Sequence, residues 1–303
     1  MDQHISNAKL TLKKNGKSFY WAGKFLPSVY IDRASELYQF CRVLDDIADS
    51  GERGSLQTLK KIKSNFINYK ELKFKNNYNL KYPSFFNIYS KKAATHLIDG
   101  LILDQSTVLF KEEEELIQYS YYVAGTVGLM MCDALKCKNK EAYLFAIDLG
   151  IAMQLTNIAR DVLEDAKMGR RYIPGSWINN ISPNAMIQGV NDNNTEIFRT
   201  VSFGIKKLLN LAEKYYYSGT QGLIFLPLKT RIAISIASGV YRQIGIQLKL
   251  KNYCWYNGRQ VTSNITKAKV TFFKIIEEFV RNKNKKNHDP ELHRFLKEII
   301  VSE

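Results

Sequence analysis

Gln154-Leu-Thr-Asn157-Ile-Ala-Arg160-Asp161-Val-Leu-Glu164-Asp165-Ala-Lys-Met-Gly169-Arg170 continues the run Ala142–Met153, which lacks proline and has glycine only at Gly150. The spacing predicts one long helix over 140–167, stopped near Gly169. Residues four apart on a helix lie one above the other, so Asn157, Asp161 and Asp165 form a polar stripe with Arg160 and Glu164 beside it. Ile151, Leu155, Ile158 and Val162 make a neighbouring apolar stripe, which argues that the helix is substantially buried. Buried carboxylates are costly unless paired or bound to metal. Glu164 is read as an exposed neighbour of the stripe.

A second acidic stretch, Tyr38-Gln-Phe-Cys-Arg42-Val-Leu-Asp45-Asp46-Ile-Ala-Asp49, ends at Gly51. Asp45 and Asp49 are one turn apart, as are Tyr38 and Arg42. Carboxylates crowded at a helix C-terminus oppose the helix dipole, which suits cation binding better than stabilisation. Two such helices in one chain suggest a site for hard divalent cations, which take oxygen ligands and commonly add substrate phosphate and water. A diphosphate bridging the metals would find Arg42, Arg160 or Arg170 as charge-assisted partners. Without metal, those carboxylates would repel it by on the order of several kcal/mol, even at an effective dielectric near 20.

The rest of the chain is consistent with an all-α protein. Six prolines and seventeen glycines in 303 residues leave few turn signals, and alternating strand patterns are nearly absent. Helices are predicted near 17–27, 33–49, 55–70, 83–98, 112–136, 140–167, 195–219, 228–249 and 265–282, with a terminal one from Pro290. Lys73–Tyr82 and Pro174–Thr195 read as loops, the second folding over the end of the helix before it. Met1–Asn15 is a polar N-terminal segment without the apolar core of a signal peptide. Arg281–His288 reads as a solvated charged linker, and His288 and His293 as solvated tail residues. Nothing marks a domain boundary, so 1–303 is expected to be a single domain.

The net charge of +15 favours anionic partners such as nucleic acid, an acidic membrane surface or phosphorylated substrates, unless it is only compositional. Aromatics at helical spacing suit a core better than a stacking platform, so no nucleic-acid partner is expected. Cys41, Cys132, Cys137 and Cys254 suggest reduced thiols in a cytoplasmic setting, without a zinc motif. No run of about eighteen apolar residues is evident, the nearest being Gly222–Val240; a peripheral membrane contact stays open. The oligomeric state is not legible.

With these residues in hand, the chain resembles the squalene/phytoene synthase family, the head-to-head prenyl diphosphate synthases. The likeness runs from Lys17 to about Lys269. It rests on Lys17-Ser18-Phe19, the Tyr38–Asp49 segment, Tyr122-Val-Ala-Gly125-Thr-Val-Gly128-Leu-Met-Met, Gln154–Asp165, Gly169-Arg170-Arg171-Tyr172-Ile-Pro174, Gly222–Leu228 and Val240-Tyr241-Arg242-Gln-Ile-Gly245. Within the family it is most similar to bacterial phytoene synthases. The resemblance implies an isoprenoid synthase fold around one central cavity, and phytoene synthesis from two geranylgeranyl diphosphates through prephytoene diphosphate. Asp45, Asp49, Asp161 and Asp165, with Asn157, would then be Mg²⁺ ligands for two or three ions, Mn²⁺ being an alternative. Arg42, Tyr122 and Tyr241 would join the aspartates in catalysis. Ser18, Phe19, Tyr38, Arg42, Gln154, Asn157, Arg160, Arg170, Tyr172 and Arg259 would bind substrate. NADPH is not expected.

On residues alone, Tyr122 and Tyr241 read as buried core tyrosines with satisfied hydroxyls, which only the resemblance lifts to a site role, and Gly125 and Gly128 read as helix-packing contacts. Small Ala22 and Gly23, a turn after Phe19, favour a twenty-carbon tail over a fifteen-carbon one. The alternatives are a squalene or dehydrosqualene synthase using farnesyl diphosphate, and a catalytically silent family relative that serves as an assembly factor. The aspartates, Arg42 and Asn157 are all in place, which argues against the silent relative.

Overall fold

A computed structural model describes residues 2–50, 54–67, 72–73, 79–80, 82–282, 284 and 287–300. Thirteen α-helices are formed among them: α1 Asp2–Asn15, α2 Lys17–Gly23, α3 Ser28–Asp49, α4 Ser55–Ile67, α5 Ile88–Leu103, α6 Glu113–Ser120, α7 Thr126–Ala134, α8 Glu141–Arg160, α9 Val162–Lys167, α10 Pro183–Asn191, α11 Thr195–Gln221, α12 Leu228–Leu250 and α13 Asn264–Val280. A two-residue antiparallel ribbon, β1 Leu72–Lys73 with β2 Asn79–Leu80, is the one sheet among the described residues. Residues 74–78 and 81 of the predicted loop Lys73–Tyr82 lie outside them, as do the last three residues of the predicted helix 55–70. The all-α expectation holds.

Local chemistry sets the helix starts. Asn87 accepts from the Ser90 amide at 3.0 Å, Asn194 from Glu196 and Ile197, and Ser263 from Thr266, so α5, α11 and α13 each begin on a side-chain cap. The predicted stop is found at Gly169, whose φ of 75° follows the last turn of α9.

The centre of the bundle is α8, with Ile151, Ala152, Leu155 and Ala159 wholly buried against α7, α11 and α12. Against the expectation that no run is long and apolar enough and that Gly222–Val240 comes nearest, α8 is by length and composition the one helix among the described residues that could cross a membrane, but 61% of its apolar window is buried inside the fold. It also approaches its neighbours very closely. A Cβ on Gly128 would fall on the carbonyl oxygen of Ala146, and one on Gly150 on that of Ala124. These glycines let two backbones touch, as expected of packing contacts.

Several expectations change. The predicted helix 112–136 is broken into α6, a π-helical turn Tyr121–Gly125 and α7. The predicted helix 140–167 is broken at Asp161, where φ is −103° and ψ 15°. Neighbours in sequence do not face one another on a helix, yet Arg160 donates to both oxygens of Asp161 at 2.7 and 2.5 Å. That grip is made with the backbone out of helical geometry. The loop Pro174–Thr195 contains α10, started by Ser182 as cap and Pro183 at its first position. It packs on α9, the helix it was expected to cover. The polar N-terminal segment is helical and packs on α3.

The largest correction concerns the tail. Pro290–His293 is a single 3₁₀ turn rather than an α-helix, and His288 and His293 are not solvated. Both Nε2 atoms reach the fully buried Asp148 of α8, at 2.8 and 2.7 Å, and Ser218 donates to the same carboxylate at 2.5 Å. A polar tail buries its histidines because an unpaired carboxylate in the core would otherwise cost more. Leu296 is fully buried and Tyr215 donates to the Leu292 carbonyl at 2.7 Å, so 287–300 forms a strap across α6, α8 and α11.

Candidate active site

The last two turns of α3 bring Arg42, Asp45, Asp46 and Asp49 to one end of the bundle. Arg42 pairs with Asp46 at 2.5 Å, which leaves Asp45 without a direct cationic partner. Burial pushes the Asp45 carboxyl up; Arg42 pulls against this, Asp49, Asp46 and Asp104 add to it, and the result is about 7. Asp49 is largely exposed, with Arg170 at 3.9 Å. Tyr38, half-buried two turns earlier, is pushed to about 12, chiefly by burial.

The other acidic group comes from the α8–α9 break. Asp161 is gripped by Arg160 and by Arg259, the latter at 2.7 and 2.9 Å. Asp165 is raised to about 8, first by burial, then by Asp161, with Arg170 opposing and Asp104 and Glu164 adding to the rise. Glu164 itself is half-buried rather than exposed. One turn before Asp161, Asn157 donates to Gln154 at 3.3 Å and accepts from the Tyr241 hydroxyl at 2.5 Å. Tyr241 stacks on Phe19, ring centroids 5.3 Å apart, joining α12 to α2.

Asp104, at the end of α5, links the two groups and was not singled out by its sequence. Its oxygens accept from Tyr119 at 2.8 Å and Tyr172 at 2.9 Å, and its carbonyl accepts from Arg170 at 3.2 Å. It raises the carboxyls of both Asp45 and Asp165, so both acidic stretches face it. A lone aspartate after an apolar helix carries no spacing signal. Tyr172 and Arg170 are thereby held beside the acids through Asp104.

Beneath the acids lies a cavity of about 380 Å³, within the usual range for small-ligand pockets. Its wall is mostly apolar, with Phe19, Ala22, Gly23 and Met153 among the lining residues. Tyr38, Asp45, Gln154, Asn157 and Tyr241 supply polar groups to it. Ser18 is half-buried in the first turn of α2, next to Phe19. Tyr122 stands apart from the other expected site residues. It packs against His96, 6.0 Å between ring centroids, and against Gly100, while its neighbours Val123 and Ala124 line the cavity.

Aspartates at one end of a greasy cavity, flanked by arginines, suit an amphiphile with an anionic head and an apolar tail. The description "Squalene/phytoene synthase" matches residues 12–269 as a family profile. The chain belongs to the squalene/phytoene synthase family. It is therefore an enzyme of a prenyltransferase family whose members depend on divalent metal. Among similar proteins, the 15-cis-phytoene synthase of Pantoea ananas is 30% identical over 272 residues, covering 86% of this chain and 87% of that protein. The 15-cis-phytoene synthase of a Paracoccus species is 30% identical over 289 residues, covering 88% and 89%.

Solved structures agree on the isoprenoid synthase fold. A dehydrosqualene synthase in complex with ligand superposes with a TM-score of 0.73 at 24% identity, over 90% of this chain and 95% of that one. A squalene synthase from Alicyclobacillus acidocaldarius gives 0.66 at 17%, over 83% and 95%.

The donor set of this synthase fits hard dications. Asp45 and Asp165 are half-buried carboxyls raised toward neutrality first by burial and then by neighbouring acids, a state that a dication would offset, and Asp49 and Asp161 add oxygens beside them. The grouping of Asp148, His288 and His293 also has metal-ligand types. It lies more than two turns up α8 from Asn157, with each imidazole Nε2 already bonded to a carboxylate oxygen.

Proposed function

We propose that this synthase is a phytoene synthase of carotenoid biosynthesis, joining two geranylgeranyl diphosphates head-to-head through prephytoene diphosphate, with 1–303 acting as one catalytic domain. One observation carries the reading: the cavity is walled by small Ala22 and Gly23 at one turn from Phe19, and has Asp45, Asn157 and Tyr241 among its polar residues. Small side chains there leave length for a twenty-carbon tail.

Asp45, Asp49, Asp161 and Asp165, with Asn157, would hold two or three Mg²⁺ ions. When bound, the cation neutralises the charge that develops on a departing diphosphate. Arg42, Arg160, Arg170 and Arg259 bind the diphosphate oxygens as charge-assisted donors. Tyr241 fixes the amide of Asn157 through its short hydrogen bond, and Tyr172 holds Asp104 beside Arg170. Phe19 and Tyr38 close the cavity over the allylic carbons and exclude water, which would otherwise quench a carbocation. The first condensation makes a carbon–carbon bond with loss of one diphosphate and one proton, closing a cyclopropane. A second ionisation, ring rearrangement and proton loss release phytoene and the other diphosphate. No reductant is consumed. Because both substrate and product are greasy, the synthase is read as cytoplasmic with peripheral contact at the inner membrane face.

The test is incubation of the purified protein with farnesyl or geranylgeranyl diphosphate, with and without NADPH, and identification of the products. Phytoene from the twenty-carbon substrate alone is the expected result. Squalene or dehydrosqualene from the fifteen-carbon substrate as the main product would overturn the assignment.

A further inference from the structure

Helix α13 is built inside out. Its inward side carries Lys267, Thr271, Lys274 and Glu278, spaced at three and four residues. Lys267, Thr271 and Glu278 are buried, and the Lys274 stem lies against Gly239 of α12. The outward side carries Ile265, Phe272, Phe273, Ile276, Phe279 and Val280, all exposed, from 45% at Ile276 to 76% at Val280.

The rotation of the helix is fixed by polar bonds. Trp21 of α2 donates to Thr271 at 2.9 Å. Glu278 is held by Arg231 at 3.1 Å and by Arg281 at 2.6 Å. Turning the apolar side inward would strip a buried carboxylate of two guanidinium partners, so the aromatic face stays out. A contiguous exposed patch of this kind marks an interaction surface.

We infer that the outer face of α13 docks the synthase on a bilayer containing anionic phospholipid. Two observations select that occupant. The first is continuity with the cavity. Val270 and Ile275 of α13 pack on Ala22, Ile236 and Ala237, and Ala22 and Ala237 also line the cavity. Helix α13 therefore backs that wall of the greasy cavity on its inner side and carries the exposed stripe on its outer one. The second is charge. Lys269 is exposed on α13 itself, and Lys24 is exposed beside Trp21, its ammonium 5.2 Å from the indole. A second copy would bring two surfaces of a +15 chain together, whereas an anionic headgroup layer neutralises them. An amphipathic helix that turns an apolar aromatic face outward, with basic residues at its border, is a usual form of interfacial anchor.

The inference specifies the membrane contact in the proposed function, and it is measured without substrate, so each can fail alone. The full-length protein is sedimented with vesicles of phosphatidylcholine, with and without phosphatidylglycerol. The wild type is expected to bind the anionic vesicles. The double variant Phe272→Ser/Phe279→Ser should lose binding by about tenfold or more, and Lys269→Glu should weaken binding to anionic vesicles only. Both should keep the wild-type rate on detergent-dispersed substrate. Phe272→Trp gives a second readout, a blue shift of indole emission on vesicle addition. Vesicle binding unchanged in the double variant, or no emission shift, would overturn the inference. So would a wild-type dimer in sedimentation equilibrium that the double variant abolishes, since the face would then belong to a second copy.

Discussion

Arg259 reaches Asp161 across 98 positions of sequence, placing Nε 2.7 Å from Oδ1 and Nη2 2.9 Å from Oδ2. Arg160 takes the same carboxylate from its own backbone neighbour. Asp161 is thus paired with two guanidiniums, whereas among the described residues no guanidinium pairs with Asp45 or Asp165. A dication held at Asp161 would compete with these arginines, and the freed guanidiniums would be available to diphosphate oxygens.

Replacing Arg259 with alanine should therefore divide two constants. The Mg²⁺ concentration for half-maximal activity is expected to fall about threefold, because the exposed Arg–Asp pair is a weak competitor. KM for the prenyl diphosphate should rise about tenfold with the loss of a charge-assisted bond. Steady-state kinetics over a Mg²⁺ series reads both, and a change in neither would remove Arg259 from the site.

Asp45 and Asp165 make the metal-free protein sensitive to alkali. Their carboxyls stand at about 7 and about 8 in the fold, against roughly 4 in an unfolded chain. The folded state retains protons that the unfolded state releases, so their contribution to stability is complete below about pH 4 and is lost as pH rises through 7 and 8. Melting temperature in a chelator should fall across that window. Added Mg²⁺ should restore it, more at about pH 9 than at about pH 6, since metal binding requires the deprotonated oxygens. A flat profile in chelator would contradict the placement of these two side chains.

Tyr241→Phe removes only the hydroxyl that fixes Asn157. The stacked ring on Phe19 remains, so the melting temperature should change by no more than a few degrees. The turnover number should fall by about ten- to a hundredfold, in line with the loss of a positioning hydrogen bond in an active site. Asp161→Asn should abolish turnover while leaving circular dichroism unchanged.

Ala22→Leu tests the length of the cavity. The added carbons enter the wall between Phe19 and Ala237, where overpacking costs about 1–3 kcal/mol. The ratio of kcat/KM for geranylgeranyl over farnesyl diphosphate should drop by about tenfold or more. Equal losses for both would indicate that the tail does not reach α2.

His293→Ala should loosen the strap. It removes one of three donors from a fully buried carboxylate, at a cost of about 1–3 kcal/mol, and limited proteolysis should then cut after α13. Burial alone would push the Asp148 carboxyl up, but the bonds and charge of His288 and His293 hold it below the ordinary range. That contribution is present above the unfolded carboxyl pKa and is lost as pH falls through the lower folded value. Acid unfolding should accordingly begin at higher pH in the variant.

The acidic groups were legible because i to i+4 spacing survives in any helix. Asn157, Asp161 and Asp165 kept their stripe even though α8 ends at Arg160. What escaped notice depended on partners distant in sequence. His288 and His293 read as tail residues because Asp148 lies 140 and 145 positions away. Asp104 has no acidic neighbour at helical spacing, and its connection to both groups exists only in three dimensions. A helix was expected over 265–282, but a helix prediction does not say which side faces the core. The expected role of Tyr122 came from likeness alone, and its ring lies edge-on to His96 of α5.

Gly128 and Gly150 sit in contacts where the backbone of α8 rests directly on the segment that ends in α7. Neither touches a carboxylate. Yet with no side chain between them, the two backbones work as a fixed ruler, setting how far α8 stands from the helices around it and hence how far Asp161 stands from α3. The gauge between the two acidic groups is thus laid down by atoms at a distance from every carboxylate. A bulkier residue at either glycine would detune the site from a distance with no aspartate replaced.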